Sequence, residues 1–144
     1  WLGLFWQEGP KKEAHKGPYF QSERQDIYNH FYHLLDEKKL RYPCFCSQEQ
    51  LAISRKIQLG RGLPPKYSGT CRHLSQDEIK RKIEQGLKPT YRFRVLDEMV
   101  IEFDDLVKGK QTFLGKDIGD FVIQRADGTA PFLFCNAIDD SLMN

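Results

Sequence analysis

Three of the chain's four cysteines fall in two short patterns. Cys44-Phe45-Cys46 stands in "RYPCFCSQEQ", and Cys71-Arg72-His73 follows beyond residues 47–70. Residues i and i+2 of an extended segment point to the same side. Two thiolates on one side can grip a single cation, and a second C-x-H pair can complete a tetrahedron. Zinc takes N and S ligands in that way, at ~2.3 Å to sulfur and ~2.0 Å to nitrogen. Tyr67 precedes Cys71 closely and competes with His73 for the fourth place, because a phenolate also coordinates. Other chemistries compete for the same residues. A disulfide between i and i+2 is strained, and a redox pair favours C-x-x-C spacing. Cys44 and Cys46 could also be small buried hydrophobes. Cys135 lies in an apolar run and reads as core. His15, His30 and His33 read as solvated. No G-x-S-x-G, P-loop or G-x-G-x-x-G pattern occurs.

The elements that must position these groups alternate between helix and strand. "WLGLFWQEGPKKEAHKGPYF" is punctuated by Gly and Pro and reads as a short apolar element followed by a loop. Ser22 with Gln25 forms a capping-box pattern ahead of "QDIYNHFYHLLDEKKL". There Ile27, Phe31, Leu34 and Leu35 share a helical face, and Lys38 and Lys39 suit the C-terminal dipole. "RYPCFC" is short and extended, with Pro43 excluding helix. Ser47/Gln50 and Ser75/Glu78 are two further capping boxes, with the helices expected to end at Gly60 and Gly86. "RGLPPKYSGTCRH" is the loop between them. "TYRFRV" alternates as a strand, with Tyr91, Phe93 and Val95 on one side and Arg92 and Arg94 on the other. "MVIEFDDLV" is a second strand, joined through a tight "LDE" connection. Asp127-Gly128 between "IGDFVIQR" and "APFLFCNAI" signals a hairpin.

The chain's 144 residues suit one ordinary domain, and 29% charged content favours a soluble protein. No apolar run approaches the roughly 20 residues of a membrane span, and no basic-plus-apolar leader is visible. Sparse, unevenly spaced cysteines favour a reducing cytoplasm. Trp1 and Asn144 both read as cut ends of a longer protein. The net charge is +2, but residues 50–94 hold 11 Lys/Arg against 3 Asp/Glu, a local net of +8. That basic middle is either a polyanion contact or a solvated basic face.

Taken in order, "WLGLFWQEGP", "GPYFQSERQDIY", "YPCFCS", "PPKYSGTCRHLS", "YRFRV" and "IGDFVIQRADGTAPFLFCNAIDDSLMN" resemble bacterial glutamyl-tRNA synthetases across essentially the whole chain. The resemblance implies an α/β fold, part of a class I Rossmann-type nucleotidyltransferase domain with an inserted α/β acceptor-binding subdomain. Residues 1–40 would end the first Rossmann half, 41–117 would form the inserted zinc and tRNA acceptor-binding subdomain, and 118–144 would begin the second half. The insertion coincides with the basic middle, where Lys and Arg would neutralise phosphates of the tRNA(Glu) acceptor stem. Some bacterial members carry C-x-C…C-x-H or C-x-C…Y-x₃-C in this insertion. Cys44, Cys46, Cys71 and His73 match the first, and Tyr67 with Cys71 matches the second. The zinc would be structural.

The family activates glutamate with ATP, taken with magnesium, to an adenylate with release of pyrophosphate, and then esterifies the tRNA 3′ end with it. Its "HIGH" and "KMSKS" signatures would lie before Trp1 and after Asn144. No catalytic residue is therefore assigned within the chain, and the chain alone should not form the adenylate. Part of the glutamate pocket is implied by the stretch ending "NAIDD". Asn136 stands where the family's asparagine contacts the amino acid. Phe132 stands where many members carry a tyrosine, so that one hydroxyl contact is missing. Asp139 and Asp140 read as caps of a following helix. The expected enzyme is a cytoplasmic monomer that touches no membrane. Two alternatives compete: a paralogue that attaches glutamate to a queuosine base of tRNA(Asp), recognised by the lack of an anticodon-binding domain, and a free-standing zinc-dependent RNA-binding module, which requires Asn144 to be a natural terminus. A glutaminyl enzyme is a weaker fit, since its corresponding motifs diverge more.

Overall fold

The computed structural model describes residues 3–5, 8–10 and 15–143. The early apolar stretch falls partly outside them, and its described residues 3–5 form neither helix nor strand. A 3₁₀ turn over Gln21–Glu23 leads into helix α1, Gln25–Glu37. Then come β1 (Arg41–Cys44), α2 (Gln48–Gly60), α3 (Gln76–Glu84) and β2 (Thr90–Phe93). They are followed by β3 (Val100–Asp105), β4 (Gly109–Leu114), a single turn α4 (Gly115–Ile118), β5 (Phe121–Gln124) and α5 (Phe132–Met143). β1, β2 and β5 make an antiparallel three-stranded sheet with β2 central, and β3 and β4 pair only with each other.

The main core lies between α1, β5 and α5. Tyr28, Tyr32, Ile123, Ala130, Phe134, Cys135 and Ile138 are buried there. The Tyr32 ring stacks on Phe134 at 4.5 Å, and its hydroxyl donates to the Ile123 carbonyl at 2.6 Å. Each burial removes apolar surface from water while the polar tip keeps a partner. A satellite core of Tyr42, Cys44 and Cys71, flanked by Cys46, Tyr67 and Leu74, lies under the loop that follows α2.

Both later capping boxes form with the Ser side chain accepting from the N3 amide, at Ser47/Gln50 and Ser75/Glu78. The first does not. Ser22 sits in the 3₁₀ turn and Arg24 occupies the N-cap without a side-chain cap bond. Arg24 is instead held elsewhere, its Nε donating to Asp139 at 2.8 Å and its Nη1 to the Pro18 carbonyl at 2.8 Å. The buried face of α1 is also rotated by one residue. Tyr28 and Tyr32 are innermost, Ile27, Phe31 and Leu35 flank them, and Leu34 is 36% exposed. The two tyrosines fit that inner face because their hydroxyls find partners inside, at Asp139 and the Ile123 carbonyl.

Two strand connections differ from expectation. The "LDE" turn forms, with Met99 N–H donating to the Leu96 carbonyl at 3.0 Å, but β3 does not return along β2. Its partner is β4, "GKQTFL", whose polar residues disguise the alternation. The Asp127-Gly128 turn also forms, with Gly128 at φ +87° and Thr129 N–H bonded to Asp127. It leads into a helix rather than a strand. The Pro131 carbonyl accepts from the Phe134 and Cys135 amides, and Phe134, Cys135 and Ile138 bury one face of α5. A continuous apolar run is ambiguous between the two states. Cys135 is core as expected, but on a helix, and Asp139 and Asp140 lie within that helix rather than capping another. At Gly115 a Cβ would come within 2.0 Å of the Leu96 carbonyl oxygen, so only glycine lets α4 pack against that turn.

Candidate metal centre and its surroundings

β1 ends on Cys44, and Cys46 stands between it and the Ser47 cap of α2. That cap fixes the direction in which the chain leaves the cysteines. After α2 the loop is tied back by Gln58, whose side chain donates to the Lys66 carbonyl at 2.9 Å and accepts from its amide at 2.7 Å. Gly69 turns at φ +77°, and Cys71 arrives facing β1. The Cys71 amide donates to the Tyr67 hydroxyl at 2.9 Å, and the Phe45 amide reaches the Cys71 sulfur at 3.4 Å.

The sulfurs of Cys44, Cys46 and Cys71 all lie within 4.8 Å of one another. The Cys46 and Cys71 sulfurs are 3.7 Å apart. The Tyr67 hydroxyl joins them, 3.3 Å from the Cys44 sulfur and 3.5 Å from that of Cys46. His73 does not join the group: it is exposed and lines a neighbouring groove with Lys66, Arg72, Asp97, Lys116 and Asp120. Three thiols and a phenol converging on one point, with no disulfide among them, form a donor set of the kind zinc takes.

The electrostatics of the cluster are uneven. Burial pushes the Cys44 thiol up, but its hydrogen bonding with Tyr67 and the adjacent Arg92 guanidinium outweighs that and brings the group down to about 7. Burial and the charge of Cys44 push Cys46 up to about 11, against the opposing Tyr67 hydrogen bond. Burial and the surrounding thiols push the Tyr67 phenol well above its ordinary value. Arg92, on β2, is 6% exposed, and its guanidinium lies 3.7 Å from the Tyr67 ring centroid. A bulge between Tyr91 and Arg92 accompanies this inward placement.

Beside the cluster, Asp120 ties the sheet to the loop. Its carboxylate accepts from Tyr42, from Arg72 and, at 2.8 Å, from the Val95 amide. Burial raises its pKa, but those three donors win and hold it below the ordinary carboxylate value. Sequence reasoning passed over Tyr42, Arg92 and Asp120. Arg92 was legible only as one member of an alternating strand, and Asp120 carries no pattern.

The residues expected at the glutamate pocket lie on a different element. Phe132 and Asn136 are one turn apart at the start of α5, and Phe132 is 71% exposed. Asn136 Nδ2 donates to Asp140 at 3.0 Å. Asp139 faces inward to Arg24 and to the Tyr28 hydroxyl at 2.9 Å.

The fold and these motifs define a piece of a class I tRNA synthetase. The chain belongs to the family described as tRNA synthetases class I (E and Q), catalytic domain, which it matches over residues 1–144. Within that family it is similar to glutamate–tRNA ligases. It is 59% identical over 143 residues to glutamate–tRNA ligase 2 of Coxiella burnetii (strain RSA 331 / Henzerling II), covering 99% of this chain and 31% of that protein. It is 57% identical, with the same coverage, to glutamate–tRNA ligase 1 of Methylococcus capsulatus (strain ATCC 33009 / NCIMB 11132 / Bath). Among solved structures, a glutamate tRNA ligase from Elizabethkingia meningosepticum CCUG26117, in complex with its amino acid, superposes with a TM-score of 0.84 at 29% identity. That match covers 99% of this chain and 30% of the other. The chain thus spans about a third of the length of the relatives it matches.

Proposed function

We propose that this chain is part of a cytoplasmic, monomeric glutamate–tRNA ligase, which activates glutamate with ATP and magnesium and transfers it to the 3′ end of tRNA(Glu). The 59% identity to a glutamate–tRNA ligase across nearly the whole chain carries this reading. Residues 1–40 and 118–144 belong to the two Rossmann halves, a division supported by the core that α1 shares with β5 and α5. Residues 41–117 form the insertion that meets the acceptor stem, supported by its +8 charge between residues 50 and 94. Asn136 bonds the amino-acid substrate and Phe132 packs against it.

The test uses the full-length protein, labelled glutamate, ATP with magnesium, and tRNA. Label should join the tRNA only when ATP and the terminal 3′ adenosine are both present. Labelling that persists on tRNA stripped of that adenosine would overturn the ligase reading in favour of the queuosine paralogue.

The donor set of Cys44, Cys46, Cys71 and Tyr67 would hold zinc, which when bound would supply a closed four-coordinate staple between β1 and the loop after α2. Protein purified under reducing, chelator-free conditions should carry about one equivalent of zinc. Tyr67→Phe should lower that content or its affinity, and His73→Ala should not. The opposite pair of results would return His73 to the site.

A further inference from the structure

Arg92 has a charge that its surroundings do not balance. It is 6% exposed, and no carboxylate pairs with it among the described residues. Its Nη1 donates to the backbone carbonyl of Asp120 at 3.3 Å, and its Nε is a buried polar atom with no partner. The Asp120 carboxylate is already committed to Arg72, Tyr42 and the Val95 amide. A buried cation without a counter-charge is costly. Among the described residues, the Cys44 sulfur and the Tyr67 side chain lie beside it, and both would carry negative charge as ligands of a metal.

Charge counting then gives Arg92 a role that depends on the metal reading above. A divalent zinc ion with three thiolates leaves a centre of charge −1. A neutral imidazole as fourth ligand keeps it at −1, whereas a phenolate takes it to −2. A fixed guanidinium favours the more negative set. Arg92 lies over the face of Tyr67, 3.7 Å from the ring centroid, while the phenol oxygen remains on the side of the sulfurs. Its position therefore supplies charge without occupying the ligand atom. We infer that Arg92 is the positioning residue of the metal centre, neutralising the thiolate–phenolate set and thereby selecting Tyr67 over a neutral fourth ligand.

The test measures zinc affinity by competition with a chromophoric chelator in the full-length protein. Arg92→Met should weaken zinc about 10–100-fold, the usual cost of removing a group that supports a metal ligand. Arg92→Lys, which keeps the charge, should recover most of that loss. In a Tyr67→Phe background, Arg92→Met should cost less than about threefold, because the phenolate it serves is gone. Loaded with cobalt(II), the Arg92→Met protein should show an altered ligand-to-metal charge-transfer band. Wild-type affinity in Arg92→Met, or equal losses in the wild-type and Tyr67→Phe backgrounds, would overturn the role while leaving the metal site standing. A wild-type protein that binds no zinc would remove the metal reading and this role together. If Arg92→Met does not fold, Arg92→Gln, which also removes the charge, is compared in the two backgrounds instead. A loss confined to the background that retains Tyr67 supports the role, and equal or no loss overturns it.

Discussion

A carboxylate that accepts from Tyr42, Arg72 and the Val95 amide has little to gain from a proton. Asp120 is 7% exposed, and its pKa in the folded chain is held below the ordinary 3.8. The sign follows from linkage. Stability contributed by a depressed carboxylate is fully present above the unfolded pKa and is lost as pH falls through the lower folded value. Asp120→Asn should therefore cost roughly 3 kcal/mol at pH 7, since it leaves Arg72 without its buried partner. The gap between wild type and variant in urea unfolding should stay constant down to about pH 4 and narrow only below it. A gap that closes above pH 5 would show that another group governs the acid limb. At this scale the sequence was partly readable. The three cysteines announced themselves by spacing, and Tyr67 by its distance from Cys71. Asp120 and Arg92 did not, because their roles arise from pairing between segments far apart in the chain.

One ion pair reinforces the packed joint between the start of α1 and α5. Arg24 Nε meets Asp139 at 2.8 Å, with side chains 2% and 25% exposed, and Tyr28 donates to the other carboxylate oxygen at 2.9 Å. Arg24→Ala leaves Asp139 short of its charge partner and leaves the Pro18 carbonyl without its donor. Breaking a fully buried pair costs roughly 3–5 kcal/mol, and the partial exposure of Asp139 places this one at the lower end. Thermal unfolding of Arg24→Ala should fall accordingly, and Arg24→Lys, which cannot reproduce the fork of bonds, should recover only part of the loss. Recovery to wild type by lysine would mean that charge alone suffices. Helix starts marked by Ser47/Gln50 and Ser75/Glu78 were legible because both partners of each box are local. The start of α1 was not, because Arg24 is placed by a residue in α5. The same distance explains α5 itself: the Asp-Gly turn was readable, but whether strand or helix followed depended on which face the core would bury.

Across the whole chain, the positive charge of residues 50–94 does not all reach the surface. Arg92 is buried and Arg72 is committed to Asp120, while Arg55, Lys56, Arg61 and Lys66 remain exposed on α2 and the loop after it, and Lys80, Arg81 and Lys88 on and after α3. A charge count along the sequence could not make that division, because it depends on which cations the sheet and loop consume internally. The exposed set is the one available to phosphates. A protein that neutralises Z phosphates loses affinity with salt at a log–log slope of about −0.9Z on a duplex. Replacing Arg55, Lys56 and Arg61 by Gln in the full-length protein should therefore weaken tRNA binding and flatten its salt dependence by up to about three contacts' worth of slope. Glutamate affinity should remain unchanged, since the proposed glutamate contacts, Phe132 and Asn136, lie on α5 and none of the three replaced residues does. An unaltered salt slope would make the basic face of α2 a solvated one and would move the proposed acceptor-stem contact to another surface.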